Sequence, residues 1–334
     1  MLVAIGIGGG AVASASQSLS GSYIAYVRGT NVSRVWIANA NGSDARPLAN
    51  GDQELLSPNG AFVAVQRVAS SGTSLELYSS AGKLLAGYFN AVTDSATPLA
   101  WSANSRYLAG SLTSTKTVGH GALFVLDTST LKSRLVTNGV ISGASFNRSG
   151  TQLVFGKANS LLESSPVDLY TAAVAGGGAA QLTTDGNSFD PVWVRSGIVF
   201  DRSTPRGVSH APIFQLWLYS AGKMRQLTHL RVPGLLDGLS PLEASAGGNR
   251  LIAEYTGEDT SYAWTVQLSP LRVQELKVAG QFVQGSQISS NGQRLLIDTG
   301  GFEQSPNRGE VESVTFGGGA PVKLGAGIEP SWSG

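Results

Sequence analysis

The chain of 334 residues contains no cysteine and only three histidines. The missing cysteine excludes a disulfide scaffold, thiol catalysis, cysteine-based zinc sites and a lipid-modified N-terminal cysteine. Charge is scarce too: Asp, Glu, Lys and Arg make up 13% of residues, about half the usual share. That scarcity argues against a disordered chain, a coiled coil or a charged-helix protein. With 23 Lys and Arg against 22 Asp and Glu, the formal net charge is +1. No basic excess exists to neutralise phosphates, so no nucleic-acid partner is expected. Long apolar runs are missing as well. The uncharged stretch 1–15 (MLVAIGIGGGAVASA) is shorter than the about 20 residues a membrane-spanning helix needs. No stretch keeps a 3.6-residue apolar period, so no long helix is expected.

What is present is glycine, 43 residues of it, and a hydrophobic fraction of 42%. The length is enough to bury a substantial core. Gly, Ser, Asn and Thr spread along the whole chain, which points to many tight turns between many short strands. Ala13-Ser14-Ala15 fits the small-x-small cleavage pattern of a secretory signal, although the basic segment that normally opens one is missing. We read 1–15 as the remnant of an export signal and 16–334 as one domain. The plainer alternative is a disordered or strand-forming N-terminus.

A repeat runs through that domain. A short apolar strand follows a polar turn at Tyr23-Ile24-Ala25-Tyr26, Phe62-Val63-Ala64-Val65, Tyr107-Leu108-Ala109-Gly110, Gln152-Leu153-Val154-Phe155, Gly197-Ile198-Val199-Phe200, Arg250-Leu251-Ile252-Ala253 and Arg294-Leu295-Leu296-Ile297. The second residues fall at 24, 63, 108, 153, 198, 251 and 295, giving spacings of 39, 45, 45, 45, 53 and 44. A strand-only unit with a period near 40–45 is the signature of a propeller blade. Before the marked strand stand turns such as Ser57-Pro58-Asn59-Gly60 and Ser289-Ser290-Asn291-Gly292, whose Asn-Gly pairs tolerate positive φ. After it come a variable loop, a second strand such as Leu216-Trp217-Leu218-Tyr219, another turn, and a last strand ending near Leu48, Leu85, Leu135, Leu182, Leu227, Leu276 or Leu324. The chain ends look like two halves of one unit. Pro330-Ser331-Trp332-Ser333 matches the segment that precedes an internal marked strand, Pro98-Leu99-Ala100-Trp101-Ser102, and residues 22–26 supply the rest. The expectation is an all-β, seven-bladed β-propeller, closed by the C-terminal strand pairing with the N-terminal blade. Closure removes exposed sheet edges.

The phrase Pro-x-Trp-Ser-(Pro)-Asn-Gly-x-x-Ile/Leu-Ala, with Gln181-Leu182-Thr183 and Arg225-Gln226-Leu227-Thr228 closing units and Ser188-Phe189-Asp190-Pro191-Val192-Trp193 opening one, resembles the WD40-like (PD40) repeat of TolB-type propellers. The resemblance covers residues 19–334. It departs from the family in using Asn59, Asn104 and Asn291 where the turn usually carries Asp. A six-bladed TolB also has an N-terminal α/β domain, for which this chain has no room. The resemblance implies an exported, non-catalytic protein- or peptide-binding scaffold of a bacterial cell envelope or periplasm.

Candidate chemistry concentrates in the loops after the marked strands, at 66–74, 112–121, 157–167, 202–214, 255–263 and 299–309. Such loops gather on one face of a propeller, where sites form. Four units end in a cation, Arg28, Arg67, Lys157 and Arg202; three carry a carboxylate one residue earlier, Asp201, Glu254 and Asp298. These seven are the candidate partner-binding residues, on a mouth basic on one side and acidic on the other. Ordinary solvated strand ends are the competing reading. His120, His210 and His229 lack ligand spacing, and Glu258-Asp259 with Asp237 falls short of a calcium loop, so no metal site is expected. No Gly-x-Ser-x-Gly elbow occurs, and Ser209-His210 reads as a loop. Gly6-x-Gly8 lacks a strand–turn–helix context, so no cofactor is expected. The six tryptophans recur at repeat positions and read as blade packing. Asp94 and Asp190 precede first strands and read as turn caps. An alternative function, a carbohydrate- or lactone-active hydrolase at the channel mouth, would need two of these carboxylates to face one another. The expected assembly is a monomer.

Overall fold

The computed structural model describes residues 23–29, 32–69, 72–91, 94–114, 120–158, 165–204, 212–233, 236–257, 260–278, 283–299 and 309–334. The stretch 1–15, Ser209, His210, Glu258 and Asp259 lie outside them, as does the side chain of Asp94.

The described chain is all strand and turn. In order the strands are β1 (Tyr23–Arg28), β2 (Arg34–Asn39), β3 (Arg46–Asn50), β4 (Gln53–Leu56), β5 (Phe62–Ala69), β6 (Gly72–Ser79), β7 (Leu84–Ala91), β8 (Asp94–Trp101), β9 (Tyr107–Ser114), β10 (Gly121–Asp127), β11 (Lys132–Asn138), β12 (Val140–Phe146), β13 (Gln152–Ala158) and β14 (Val167–Ala173). They continue as β15 (Ala180–Gln181), β16 (Ser188–Val194), β17 (Gly197–Thr204), β18 (Ile213–Ser220), β19 (Lys223–Gln226), β20 (Leu236–Ala244), β21 (Arg250–Gly257), β22 (Thr260–Leu268), β23 (Leu271–Glu275), β24 (Val283–Ile288), β25 (Arg294–Thr299), β26 (Glu310–Thr315), β27 (Val322–Ala326) and β28 (Ile328–Trp332). The marked strands of the repeat are β1, β5, β9, β13, β17, β21 and β25.

Antiparallel pairing groups the strands into four-stranded sheets: β28-β1-β2-β3, β4–β7, β8–β11, β12–β15 and β24–β27. β16–β19 and β20–β23 each make the same arrangement and are joined by one parallel bridge, Phe214↔Gly238. The last strand pairs with the first: Ile24 lies opposite Trp332 and Ala25 opposite Ser331.

The turn chemistry repeats with the sequence. Ser57, Ser102 and Ser289 each accept a hydrogen bond from the backbone N–H five residues on, at Phe62, Tyr107 and Arg294, all 2.9 Å. Each serine hydroxyl in turn donates to the Asn two residues on, Asn59, Asn104 or Asn291. Gly60 and Gly292 adopt φ of 69° and 70°, which a Cβ would strain. Asn serves here because the turn needs a carbonyl acceptor, not a charge. Leu182, Leu227 and Leu276 lie one residue beyond their strands yet still donate to Leu169, Leu216 and Ala263 carbonyls at 2.7, 2.8 and 2.8 Å. The neighbouring Thr183 and Thr228 hydroxyls cap Leu169 N–H and Leu216 N–H at 2.9 Å. The Gln-Leu-Thr phrase thus replaces a ladder bond with a side-chain bond where the outer strand ends.

The core lies between sheets. One cluster joins Ala25, Val35 and Ile37 to Leu56, Val63 and Val65; the next joins Leu75 and Leu77 to Leu108, Phe124 and Leu126. The pattern continues sheet by sheet, until Leu296, Val311 and Leu324 pack on Ile24, Tyr26, Ala38 and Trp332. Full burial of such side chains is worth about 1.5–3 kcal/mol each, so every sheet depends on both neighbours.

Candidate functional site

Alternation along a strand sends successive side chains to opposite faces. The two candidate groups occupy adjacent positions, the cations last in line and the carboxylates one residue earlier, so their surroundings differ.

The cations lie over the next strand of their own sheet. Arg28 stacks on Trp36 at 5.1 Å, Lys157 on Tyr170 at 5.1 Å and Arg202 on Trp217 at 4.7 Å. In each case the cation sits two residues past the one paired with that aromatic: Tyr26↔Trp36, Phe155↔Tyr170, Phe200↔Trp217. Arg67 occupies the same place over Glu76, an ion pair of 3.6 Å, because Val65 pairs with Glu76. Arg202 also reaches Asp185 at 3.2 Å. Arg28 and Arg67 remain exposed; Lys157 and Arg202 are half-buried. These contacts supply a packing role in addition to any role at a surface.

The carboxylates point between sheets. Asp201 is 1% exposed; its Oδ2 accepts the Ser240 hydroxyl of β20 at 2.8 Å, and its Oδ1 is buried without a partner. Asp298 is 4% exposed and its Oδ2 accepts the Glu329 N–H of β28 at 2.7 Å. Glu254 accepts the Ser261 hydroxyl. Burial drives all three above the usual carboxylate range, Asp298 to about 7, with neighbouring carboxylates adding to the rise for Asp201 and Asp298.

The structure adds acids that motif reading passed over. Asp190 is no turn cap. It lies inside β16 at a bulge between Phe189 and Val192, with φ of 37°, and its Oδ1 is buried without a partner. Burial raises it to about 7, and its charge helps raise Asp201. Glu329, exposed at the bulged start of β28 with φ of 49°, is raised by the protein packed around its carboxyl and then by Glu254. Glu54, 8% exposed, receives the Ser331 hydroxyl and is pushed up to about 8 by burial. The signal for Asp190 was Asp-Pro within a strand, since proline there marks a bulge or an edge. Glu329 repeats that signal.

Among the described residues no group of three Asp, Glu, His or Cys side chains is close enough to share a metal ion. His120 and His229 are exposed on separate segments. Trp101 packs on Phe62, ring centroids 6.3 Å apart, and donates to Leu55 O at 3.0 Å; Trp264 packs on Tyr255 at 5.6 Å. The tryptophans are packing residues of the sheets, as their repetition suggested.

No family model and no curated protein matches the chain. Solved structures do. TolB from Acinetobacter baumannii superposes with a TM-score of 0.53 at 15% identity, over 93% of this chain and 83% of that one. The β-propeller domain of the Trilobed protease from Pyrococcus furiosus gives 0.61 at 12% identity, over 88% and 90%. A prolyl endopeptidase gives 0.65 at 14% identity, over 92% of this chain but 48% of its own. No helix among the described residues is long and apolar enough to cross a membrane. Four-stranded antiparallel sheets, cores between them and these neighbours together make the fold of this chain a TolB-like β-propeller.

Proposed function

We propose that the chain is a non-catalytic scaffold, exported to the cell envelope behind the signal remnant 1–15, that binds a protein or peptide partner at the loop face of a seven-bladed propeller. The closed ring is supported by a hydrogen bond repeated between neighbouring inner strands. Glu243 accepts Ile288 N–H at 2.9 Å, Gln287 accepts Trp332 N–H at 2.8 Å, and Ser331 accepts Leu56 N–H at 2.9 Å. The last of these joins residues 275 apart in sequence by the same link that joins its predecessors. The observation that carries the binding reading is the polarity of the strand ends. Arg28 and Arg67 are exposed at one set of strand ends, while at another Asp201 and Asp298 are buried and held above the usual carboxylate range, with Glu329 exposed beside them. A partner segment whose acidic portion meets the two arginines complements that mouth.

The test is retention of proteins of the chain's own host on the immobilised protein, at low and moderate salt. The double variant Arg28→Glu, Arg67→Glu is expected to lose a partner that the native protein retains at low salt, with its melting temperature within a few degrees of native. Unchanged retention of that partner overturns the assignment. The hydrolase reading keeps one supporting observation, the buried pair Asp190 and Asp201, both raised by burial, with the charge of Asp190 adding to the rise of Asp201. Turnover of a glycoside or lactone that Asp190→Asn abolishes would favour it over the scaffold.

A further inference from the structure

On the side of the tight turns, away from the loop face, a groove of about 250 Å³ opens between the sheet β20–β23 and the turns of β24–β27. Its floor is a row across three neighbouring strands, Arg250 opposite Gln267 and Gln267 opposite Arg272. The two guanidinium-bearing residues are thus two strand spacings apart, about 10 Å. Gln274, Gln293 and Phe316 complete the part of the wall that matters here.

No carboxylate lines this groove. Neither arginine is ion-paired among the described residues. Arg250 is held in place: its Nη1 donates to Gly292 O at 2.9 Å and Gln293 Oε1 at 3.1 Å, and its guanidinium lies 4.8 Å over the Phe316 ring. Arg272 and Gln274 are exposed on β23. A fixed cation and an exposed one, unneutralised and set apart by an amide, attract an anion carrying more than one charge. The amides narrow the class. Gln293 Oε1 is taken by Arg250, but Gln267 and Gln274 each offer an acceptor beside their donors, one Gln267 amide hydrogen being directed at Ser269 O at 3.3 Å. A ligand that only accepts, such as an acidic peptide side chain or a phosphate, leaves those acceptors unmatched, whereas a ligand rich in hydroxyls uses both.

We propose that this groove binds an acidic oligosaccharide, its carboxylates held by Arg250 and Arg272 and its hydroxyls by Gln267 and Gln274. The site is separate from the loop face and stands or falls independently of the partner bound there.

The experiment is calorimetric titration of the full chain with the tetrasaccharide of alternating glucuronate and N-acetylglucosamine. Chitotetraose is the neutral control and tetraglutamate the acidic peptide control. Saturable binding of one acidic tetrasaccharide, weakened by salt, is expected, with both controls at least about tenfold weaker. Arg272→Glu is expected to weaken binding by about tenfold or more, and Arg272→Lys to retain part of it. Gln274→Glu, a second exposed position, is expected to weaken it as well and serves if Arg272→Glu fails to give a native melting curve. Absence of saturable binding, equal binding of chitotetraose, tetraglutamate binding as tightly as the saccharide, or indifference to both substitutions overturns the proposal.

Discussion

Two arcs of the propeller use the same repeat position in opposite ways. In β1, β5, β9 and β13 the fifth residue of the marked strand is Val27, Gln66, Ser111 or Gly156; in β17, β21 and β25 it is Asp201, Glu254 or Asp298. Gln66, Asp201 and Asp298 reach the next sheet from this position. Gln66 shows what an uncharged polar group does there: its amide donates to Ala96 O at 2.8 Å and Thr97 Oγ1 at 3.0 Å of β8. The acids cannot donate in their ionised form, so they rely on the donors available, Ser240 for Asp201 and the Glu329 N–H for Asp298. One residue later Arg28, Lys157 and Arg202 lie over aromatic rings and Arg67 over Glu76, each still in contact with water. Adjacent residues of one strand therefore meet different fates, and a mouth that reads as acidic in sequence carries carboxyls that burial raises above the usual carboxylate range.

The strongest way to break the comparison is to remove the strand that both arcs depend on. Truncation after Gly327 deletes β28, exposes Ile24 and Tyr26, and takes away Trp332, whose loss alone is worth about 3–5 kcal/mol. The truncated chain is expected to lose cooperative thermal unfolding by circular dichroism. A melting temperature within a few degrees of the full chain would show that the two arcs stand without β28.

The acidic arc also predicts an unusual pH profile. Burial pushes the carboxyls of Glu54, Asp190, Glu243 and Asp298 up to about 8, 7, 7 and 7, above the ordinary 4.5 of Glu and 3.8 of Asp. Raised carboxyls let the folded chain bind more protons than the unfolded one between these limits, so stability is lost as pH rises from about 4 to about 8. The melting temperature is expected to be higher at pH 5 than at pH 8. Glu243→Gln sharpens the point. It keeps an acceptor for Ile288 N–H and removes the ionisation, so it should match the native protein near pH 4 and exceed it at pH 8 by on the order of 3 kcal/mol. A native protein more stable at pH 8 than at pH 5 would mean that the acidic arc is better solvated than its burial implies.

The cations that follow this position give the smallest effects. Arg202→Met removes a cation over Trp217 and the contact to Asp185, and is expected to cost about 1 kcal/mol. Arg67→Met loses a 3.6 Å pair with Glu76, whose carboxylate keeps the Tyr78 and Ser74 hydroxyls, and should change stability by less than about 0.5 kcal/mol. Denaturant unfolding of the two variants ranks them; equal costs would erase the distinction between stacked and merely paired cations.

Much of the fold was legible because the repeat is local chemistry. The Ser-x-Asn-Gly turn, the alternating strand and the Gln-Leu-Thr ending each satisfy their own hydrogen bonds within a few residues, so they recur in the sequence wherever they recur in space. The 53-residue spacing was legible only as an irregularity; extra chain lies in 227–235, between β19 and β20. The candidate site was half legible. Asp201, Glu254 and Asp298 stood out by their shared position; Asp190 and Glu329 share only an acid-proline pair on first strands far apart in the chain, and Glu54 has no such mark.

The sequence by itself determined the unit: strand-only repeats, their turns, their order, and which residues face between sheets, since period-two alternation and turn hydrogen bonds act over a few residues. Only the tertiary structure decided which carboxyls are desolvated together, which cations are already engaged by an aromatic ring, and that Arg250 and Arg272 share an open groove. Those outcomes depend on what the neighbouring sheet brings within a few ångströms, and that contact is made between segments tens to hundreds of residues apart.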